Sequence, residues 1–288
     1  MPASTSYLPA LIPAEFPAAA VPAAITASRR ETLQLIPKPT QAAQRLLGPA
    51  LAILIWFVVT AAGWVSPETL PKPGTVATTF NELWAGGYLA ANIGSSLQRA
   101  GEGLAAGIIA GVLLALVAGL TRWGDALLDG LVQIKRALPN LALIPLFIMW
   151  MGIGEAMKVT VITLGVFVPI YINTHAALRD IDLRYVELAQ TVGLNRRRFL
   201  RYIVFPSCLP GFFTGLRLAA THAWTALVVV ETINATSGIG YMISQARIYG
   251  QIEIVIAGLV LYGVLGFGTD ALIRALHKKV LVWRQTIA

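Results

Sequence analysis

Runs of apolar residues recur along the chain and predict membrane-spanning helices. Each run approaches the ~20 residues that a spanning helix needs. Polar stretches separate the runs, as expected where the chain leaves a bilayer. We therefore predict an all-α, polytopic membrane protein with six transmembrane helices, over residues 47–65, 103–120, 127–151, 156–172, 209–230 and 252–273.

The third predicted span is interrupted by proline. Its apolar part, 138–151, is short and contains Pro139 and Pro145, and proline removes a backbone donor from a helix. The stretch becomes long enough only if the helix begins near Leu127. In that case the span includes Lys135 and Arg136.

Residues before and within the second span also carry structural signals. The stretch 66–98 is polar, contains Pro and Gly, and includes Trp84 and Tyr88, so we expect an external loop at the membrane interface. Within the span, Gly103, Gly107 and Gly111 repeat at four-residue intervals. Such a stripe of small residues allows another helix to approach closely.

The first 44 residues differ in composition from the rest. They are rich in Pro and Ala, and a helix does not persist through prolines at this density. We predict a disordered cytoplasmic tail over 1–44 and a transmembrane domain over 45–288. The seven prolines are Pro2, Pro9, Pro13, Pro17, Pro22, Pro37 and Pro39.

An arginine-rich polar stretch, residues 182–206, lies between the fourth and fifth predicted spans; we call it the interspan segment. Asp182 can cap a short helix at its N-terminus. Tyr185, Leu188, Ala189 and Val192 then fall at i, i+3, i+4 and i+7, which predicts one apolar face about two turns long.

The second half of the interspan segment predicts another helix. Gly193 stands where a glycine in the left-handed conformation would end the first helix, and Asn195 can cap the next one. The result is a helix–Gly–helix unit. The second helix begins with basic residues: Arg196, Arg197, Arg198 and Arg201.

Composition agrees with a membrane protein. Of 288 residues only 12% are charged, against about 25% in soluble domains, and the mean hydropathy is +0.69. The net charge of +8 is not concentrated as in a nucleic-acid-binding protein. A single cysteine, Cys208, excludes an internal disulfide and a cysteine-based zinc site, and the three histidines are too scattered to predict a metal site.

Basic residues predict the orientation, because cytoplasmic loops of membrane proteins carry an excess of Lys and Arg. Six spans place both termini on one side. Three basic residues fall on the other side, Lys72, Lys158 and Arg247. Fifteen fall on the side predicted to be cytoplasmic: Arg29, Arg30, Lys38, Arg45, Arg122, Arg179, Arg184, Arg196, Arg197, Arg198, Arg201, Arg274, Lys278, Lys279 and Arg284.

Some ionisable groups fall near or within the predicted spans, where they are costly and mark a pathway or an internal ion pair. Arg99 and Glu102 are three positions apart on one helix, which favours mutual neutralisation near the outer surface. Lys135 and Arg136 have two explanations. They line an inner vestibule that attracts an anion, or they extend to the cytoplasmic interface, which we favour.

The fifth predicted span contains a further arginine, Arg217, eight residues into an apolar run. It either lines a path or pairs with an acid such as Asp270, and the sequence leaves both open. Glu231 ends the same span and is expected to cap or pair at the outer interface. His222, one turn beyond Arg217, is expected to be a packing residue.

Several catalytic signatures are absent from the sequence. The chain has no G-x-x-x-x-G-K-[ST] phosphate-binding loop, so we do not expect it to hydrolyse ATP itself. It also lacks H-E-x-x-H and G-x-S-x-G, which removes the usual candidates for a membrane protease or hydrolase. We therefore predict that the chain is not an enzyme.

The interspan segment resembles the signature loop of ABC importer permeases, in which a Glu-small-small triplet is followed by a glycine and an Ile-x-Leu-Pro ending. Two positions depart from it, Leu188 at a small-residue position and Phe205 at the leucine before the proline, and both substitutes are apolar. The residues at the aligned signature positions are Glu187, Leu188, Ala189, Gly193, Ile203 and Pro206.

Other stretches resemble one subgroup of these permeases, which serves importers of nitrate, sulfonate, taurine and bicarbonate. Residues 205–231 and 237–243 match this subgroup, and the whole string 205–247 looks most like the aliphatic sulfonate permeases. The resemblance extends from about residue 66 to the C-terminus and also includes residues 70–76 and 137–158.

The resemblance implies a type I ABC importer permease fold in a bacterial inner membrane. It implies a homodimer of this chain, two copies of a separate ATP-binding cassette subunit and an extracytoplasmic solute-binding protein, with no role for nucleic acid. ATP and Mg would bind to the partner ATPase, and this chain would hold no cofactor or metal. Residues 181–204 would then be the coupling loop, which Arg196, Arg197 and Arg198 anchor to the ATPase.

A small organic anion, above all an aliphatic sulfonate, is the solute that the subgroup resemblance implies. Arg217, Arg136 and Lys135 are then the candidate residues of its path. Taurine, nitrate and bicarbonate are alternative solutes. A passive channel or a secondary transporter has a similar composition, but neither needs a patterned cytoplasmic loop of this length, and no inverted repeat is evident.

Overall fold

The computed structural model describes residues 47–283, and within this range the chain is helical without β-strands. The described residues from 50 onward belong to one compact unit. The predicted tail, 1–44, lies outside the described residues. The helices are α1 (Leu47–Ala61), α2 (Pro73–Ala85), α3 (Tyr88–Leu120), α4 (Arg122–Ala137), α5 (Ile144–Met151), α6 (Glu155–Arg179), α7 (Leu183–Thr191), α8 (Arg196–Phe199), α9 (Phe205–Asn234), α10 (Ile239–Ile248) and α11 (Ile252–Val280).

Four helical stretches of the described chain are long and apolar enough to cross a membrane. They are α3, α6, the continuous stretch Arg196–Ile233 and α11, and the α4–α5 pair makes a fifth if it is one bent span. α1 is apolar but only 15 residues long. The all-helical membrane fold is therefore confirmed, while the count of six spans stays a prediction.

The prediction of a loop over residues 66–98 is wrong, because most of this stretch is helical. Pro73 opens α2, where its missing N–H costs nothing because the first helical N–H groups have no partner in any case. Gly87, with φ of 72°, separates α2 from α3. The helix then begins at Tyr88, well before the predicted start at residue 103.

α6 is the central helix of the bundle, because it packs against α3 on one side and α9 on the other. It is also the most buried of the candidate spans. The predicted small-residue stripe forms the α3 side of this contact. A Cβ at Gly107 would lie 2.5 Å from Val166 Cβ, and one at Gly111 would lie 2.7 Å from Ile170 Cβ. Glycine is needed there because the two helices approach so closely.

The third predicted span is broken, as its prolines indicated. Leu138, directly before Pro139, is extended (ψ 125°), which is the conformation that a residue before proline prefers. A short 3₁₀ turn, Asn140–Leu143, leads into α5. The two halves, Arg122–Ala137 and Asn140–Met151, meet at 91°.

Candidate coupling segment and polar cavities

Both helix caps that we predicted in the interspan segment are present. The Asp182 carboxylate accepts a hydrogen bond from the backbone N–H of Arg184 (2.9 Å) and pairs with its guanidinium (2.8 Å). These contacts with Arg184 hold the pKa of the Asp182 carboxyl below its usual value. At the second helix, the Asn195 side chain accepts from the backbone N–H of Arg198 (2.9 Å).

Gly193 ends α7 in the left-handed conformation, with φ of 67°. Leu194 N–H donates to Ala189 O (2.8 Å) and Gly193 N–H donates to Gln190 O (3.0 Å). These two bonds form a Schellman motif, which terminates a helix and turns the chain. Local hydrogen bonds therefore set the angle between α7 and α8.

The apolar face of α7 is mostly unburied in the single chain. Tyr185, Leu188 and Val192 are 54%, 58% and 66% exposed, whereas Ala189 is only 5% exposed. Glu187 is exposed as well. Within the described chain this apolar stripe is therefore exposed, an arrangement that a soluble surface disfavours.

Arg196, Arg197 and Arg198 are exposed at the start of α8. No carboxylate among residues 47–283 lies within ion-pairing distance of them. Cations at a helix N-terminus also oppose the helix dipole. These arginines therefore do not stabilise the helix that carries them.

A π-helical turn, Leu200–Val204, which the sequence analysis did not predict, joins α8 to α9. Ile203 lies within this turn, and Pro206 follows in the first turn of α9. Both are half-buried. Pro206 lies inside the continuous helical stretch Arg196–Ile233, directly after the π-helical turn in which Phe205 N–H donates to Leu200 O.

Lys135 turns into a cavity of about 550 Å³ at the α4–α5 break. Its Nζ donates to Asn140 Oδ1 and to Leu164 O (3.0 Å). The Lys135 ammonium therefore finds acceptors inside the bundle, while its position relative to the cytoplasmic interface stays a prediction. Arg136 lines the same cavity with an exposed side chain.

Arg217 pairs with Asp270, which confirms one of the two explanations that the sequence left open, while its place in a solute path stays a prediction. Its Nε donates to Asp270 Oδ1 (3.0 Å), and its side chain is still 50% exposed. Asp270 also pairs with Arg274, so one carboxylate serves two arginines. The three side chains line a cavity of about 350 Å³ between α9 and α11.

His222 lines the cavity at the α4–α5 break, and so does Asn140. Asn140 was missed in the sequence analysis because an Asn after a proline is an ordinary turn residue. The signal in the sequence was that Asn140 follows the cation Lys135 by only five residues, close enough to accept a hydrogen bond from it. The two cavities are adjacent, because Leu218 lines both of them.

Arg99 does not pair with Glu102, contrary to our prediction. It pairs with Glu155 (2.5 Å) and Glu231 (2.8 Å), while Glu102 accepts from Gln98. The guanidinium is buried, so two carboxylates from other helices compensate it better than an exposed neighbour on its own helix.

Glu231 is the acceptor at the centre of this buried network, which joins α3, α6, α9, α10 and α11. Its carboxylate accepts from Arg99, from Ser96 Oγ (2.8 Å), from Gly240 N–H (2.9 Å) and from Tyr262 OH (3.0 Å). The expectation that Glu231 is paired is confirmed. The sequence did not predict how many groups donate to Glu231, or that several of them come from distant parts of the chain.

Comparison with known proteins agrees with these features. The family model of the binding-protein-dependent transport system inner membrane component matches residues 107–282, more than half of the chain. A solved amino acid ABC transporter has a similar fold, with a TM-score of 0.55 and 15% identity, and the match covers 68% of this chain and 95% of that one.

Two curated relatives are more similar in sequence. A putative aliphatic sulfonates transport permease of Bacillus subtilis is 38% identical over 241 residues, which cover 84% of this chain and 87% of the relative. Its counterpart in Escherichia coli is 39% identical over 235 residues, 82% and 89% of the two chains. The chain therefore belongs to the binding-protein-dependent transport system inner membrane components, the permeases of ABC importers.

Proposed function

We propose that this chain is the membrane-spanning subunit of an ATP-driven importer, and that its interspan segment couples it to a separate ATPase. The exposed apolar stripe of α7 is the observation that carries the proposal. Tyr185, Leu188 and Val192 are exposed on a helix that caps hold at both ends. A rigid helix with an uncovered apolar face suits a groove in a partner protein.

The charges beside this stripe support the same partner. Arg196, Arg197 and Arg198 do not stabilise their own helix, and their exposed guanidinium groups suit an acidic rim around such a groove. Glu187, Ala189 and Gly193 give the segment its shape. Ile203 and Pro206 connect it to α9, so that a displacement of α7 is transmitted to a membrane helix.

Two copies of this chain would serve two ATPase subunits, since most oligomers of identical chains are twofold symmetric. ATP-driven closure of the ATPase pair would bring the two interspan segments together and tilt the helices from an inward- to an outward-facing arrangement. Mg and ATP would bind to the ATPase, not to this chain. The distribution of basic residues puts both termini and the interspan segment in the bacterial cytoplasm.

For the solute, we propose a small organic anion, namely an aliphatic sulfonate delivered by an extracytoplasmic binding protein. The curated relatives named for this solute are 38–39% identical to the chain. The cavities that would form the path contain Lys135, Arg136 and Arg217. Cations at such a depth attract anions and repel cations.

The test is ATPase activity of the reconstituted permease–ATPase complex with its binding protein. A short alkanesulfonate should stimulate hydrolysis, whereas taurine, nitrate and bicarbonate should not. Stimulation by one of these other anions would keep the importer and replace the solute. If no ATPase subunit associates with the chain, the coupling role is refuted.

A further inference from the structure

The cavity at the α4–α5 break has an unusual balance of charge. Its polar lining comes from Lys135, Arg136 and Asn140 on the break, Asn173 on α6 and, on α9, His222 and Thr225. No carboxylate of the described chain belongs to this lining. The cavity therefore presents positive charge and neutral hydrogen-bonding groups.

Lys135 is the cation that is drawn furthest into this cavity. Its ammonium has two neutral acceptors, Asn140 Oδ1 and Leu164 O, and it lies 5.9 Å from the centre of the Phe167 ring. Among residues 47–283, no carboxylate lies within ion-pairing distance. A half-buried ammonium with neutral partners alone is poorly compensated.

Arg217 in the neighbouring cavity differs from Lys135, because a carboxylate compensates its charge. Asp270 already accepts from it at 3.0 Å and also pairs with Arg274. An arriving anion would compete there with a carboxylate that is fixed in place. At Lys135 it would compete only with an amide oxygen and a backbone carbonyl, which are weaker acceptors for a cation.

We propose that Lys135 and Asn140 form an anion-binding site within the membrane domain, in which a sulfonate head group replaces Asn140 as the acceptor for the Lys135 ammonium. The inference rests on the proposed function, since it takes this cavity as part of the solute path. Freed from Lys135, the Asn140 amide can donate its N–H groups to the anion. The site thus supplies one charge and directional donors, as anion recognition requires.

The position of Asn140 connects the site to the bend of the helix pair. Lys135 belongs to the last turns of α4 and Asn140 follows Pro139, so their hydrogen bond crosses the break between the two halves. On the other side, a Cβ at Gly165 would lie 3.0 Å from Asn140 Nδ2. An anion at Lys135 therefore removes one of the contacts that bridge the 91° bend.

The experiment compares the reaction rates of two thiol reagents of opposite charge with one cysteine in the cavity. Cys208 is the single native cysteine, so Cys208→Ala with Thr225→Cys places one exposed thiol on the cavity wall. The anionic reagent is sulfonatoethyl methanethiosulfonate, itself an alkanesulfonate, and the cationic one is its trimethylammonium analogue. The full permease–ATPase complex is labelled in lipid nanodiscs.

We expect the anionic reagent to be favoured, and Lys135→Gln to lower the anion-to-cation rate ratio by roughly tenfold, because a unit charge is removed from the wall of the same cavity. Lys135→Arg should keep the ratio. Asn140→Asp should lower it as Lys135→Gln does, since an isosteric carboxylate then neutralises the lysine in place. Asn140→Asp tests the site even if Lys135→Gln fails to assemble.

Lys278→Gln is the matched control, because it removes one exposed cation from the end of α11. It should leave the ratio unchanged. Equal ratios in Lys135→Gln and Lys278→Gln, or an unchanged ratio in Asn140→Asp, would overturn the site.

Labelling needs neither ATP hydrolysis nor uptake, so its outcome is separate from that of the proposed function. If the ratio depends on Lys135 but alkanesulfonate does not stimulate the ATPase, the anion site stands and the solute is wrong. If stimulation occurs and the ratio does not depend on Lys135, the importer stands and the site is wrong.

Discussion

At the scale of single residues, the ionisable groups near and within the spans differ by what compensates them. Arg99 is buried between two carboxylates, Arg217 shares one, and Lys135 has neutral acceptors only. In the sequence all three are basic residues near or within a predicted span, so residue type alone does not distinguish them. The partners decide whether a cation holds helices together or remains available to a solute.

The carboxylate of Glu231 is predicted to be essential for stability. Glu231→Gln keeps the shape of the side chain but leaves Arg99 with one partner fewer in a buried site. Breaking a buried pair in this way costs about 3–5 kcal/mol, so the unfolding temperature in detergent should fall clearly. Glu102→Gln, which changes an exposed carboxylate on the same helix as Arg99, should change the stability by no more than about 0.5 kcal/mol.

At the scale of helices, close backbone approach and turn geometry determine the arrangement. α3 meets α6 through its glycines, and α7 turns into α8 at Gly193. In both places the missing side chain is the structural requirement. The reasons differ, since the first is a matter of space and the second of backbone conformation.

Two alanine substitutions on α3 are predicted to have opposite effects. Gly107→Ala puts a methyl group 2.5 Å from Val166 Cβ, so it should destabilise the protein by about 1–3 kcal/mol. Gly101→Ala has no atom of another element within 4 Å of the new Cβ. It should stabilise the helix by about 0.5–1 kcal/mol. Thermal unfolding of the two variants checks the sign, and a loss of stability in both would contradict the packing argument.

Gly193→Val is predicted to uncouple uptake from ATP hydrolysis. A β-branched residue is strained at φ of 67°, so α7 and α8 would lose their fixed angle. Uptake per ATP hydrolysed should fall at least about tenfold, as a few kcal/mol of strain at a rigid connection implies. The reconstituted complex gives both rates.

Gly193→Asn is the control, because asparagine tolerates the left-handed conformation and should retain most of the coupling. Normal uptake by Gly193→Val would count against the coupling role of the segment.

At the scale of the whole molecule, the described chain exposes an apolar stripe and a basic cluster in the interspan segment. The apolar stripe of α7 and the arginines of α8 lie next to each other in the chain and are both exposed. The polar cavities beside α9 are open as well. These features are explained together if partners meet the chain at the interspan segment and a solute passes beside α9.

Removal of charge from the interspan segment should weaken association with the ATPase. Arg196, Arg197 and Arg198, changed together to Gln, would lose three exposed pairs of about 0.2–1 kcal/mol each, which predicts roughly 10-fold weaker binding. Binding of the unmodified chain should also weaken at high salt. Co-purification at two salt concentrations measures both effects. Lys278→Gln with Lys279→Gln is the control, and an equal loss there would contradict a local role for the arginines.

The sequence by itself determined the features that depend on neighbours along the chain. Apolar length indicated the helices, Asp182 and Asn195 indicated caps, and Gly193 indicated a turn, because caps and turns are made by residues two to five positions apart. Composition and motifs indicated the family. The helix α2 and the first turns of α3 were not predicted, because polar residues in a helix resemble those of a loop.

Only the tertiary structure decided which distant groups meet. Arg99 finds carboxylates 56 and 132 positions away, and Lys135 finds the carbonyl of Leu164 across the bundle. Charge attracts in every direction, so a sequence with several acids and bases permits many pairings. The close packing of α3, α6 and α9 allows one arrangement of the backbone. That arrangement selects the pairs and leaves Lys135 without a carboxylate among the described residues.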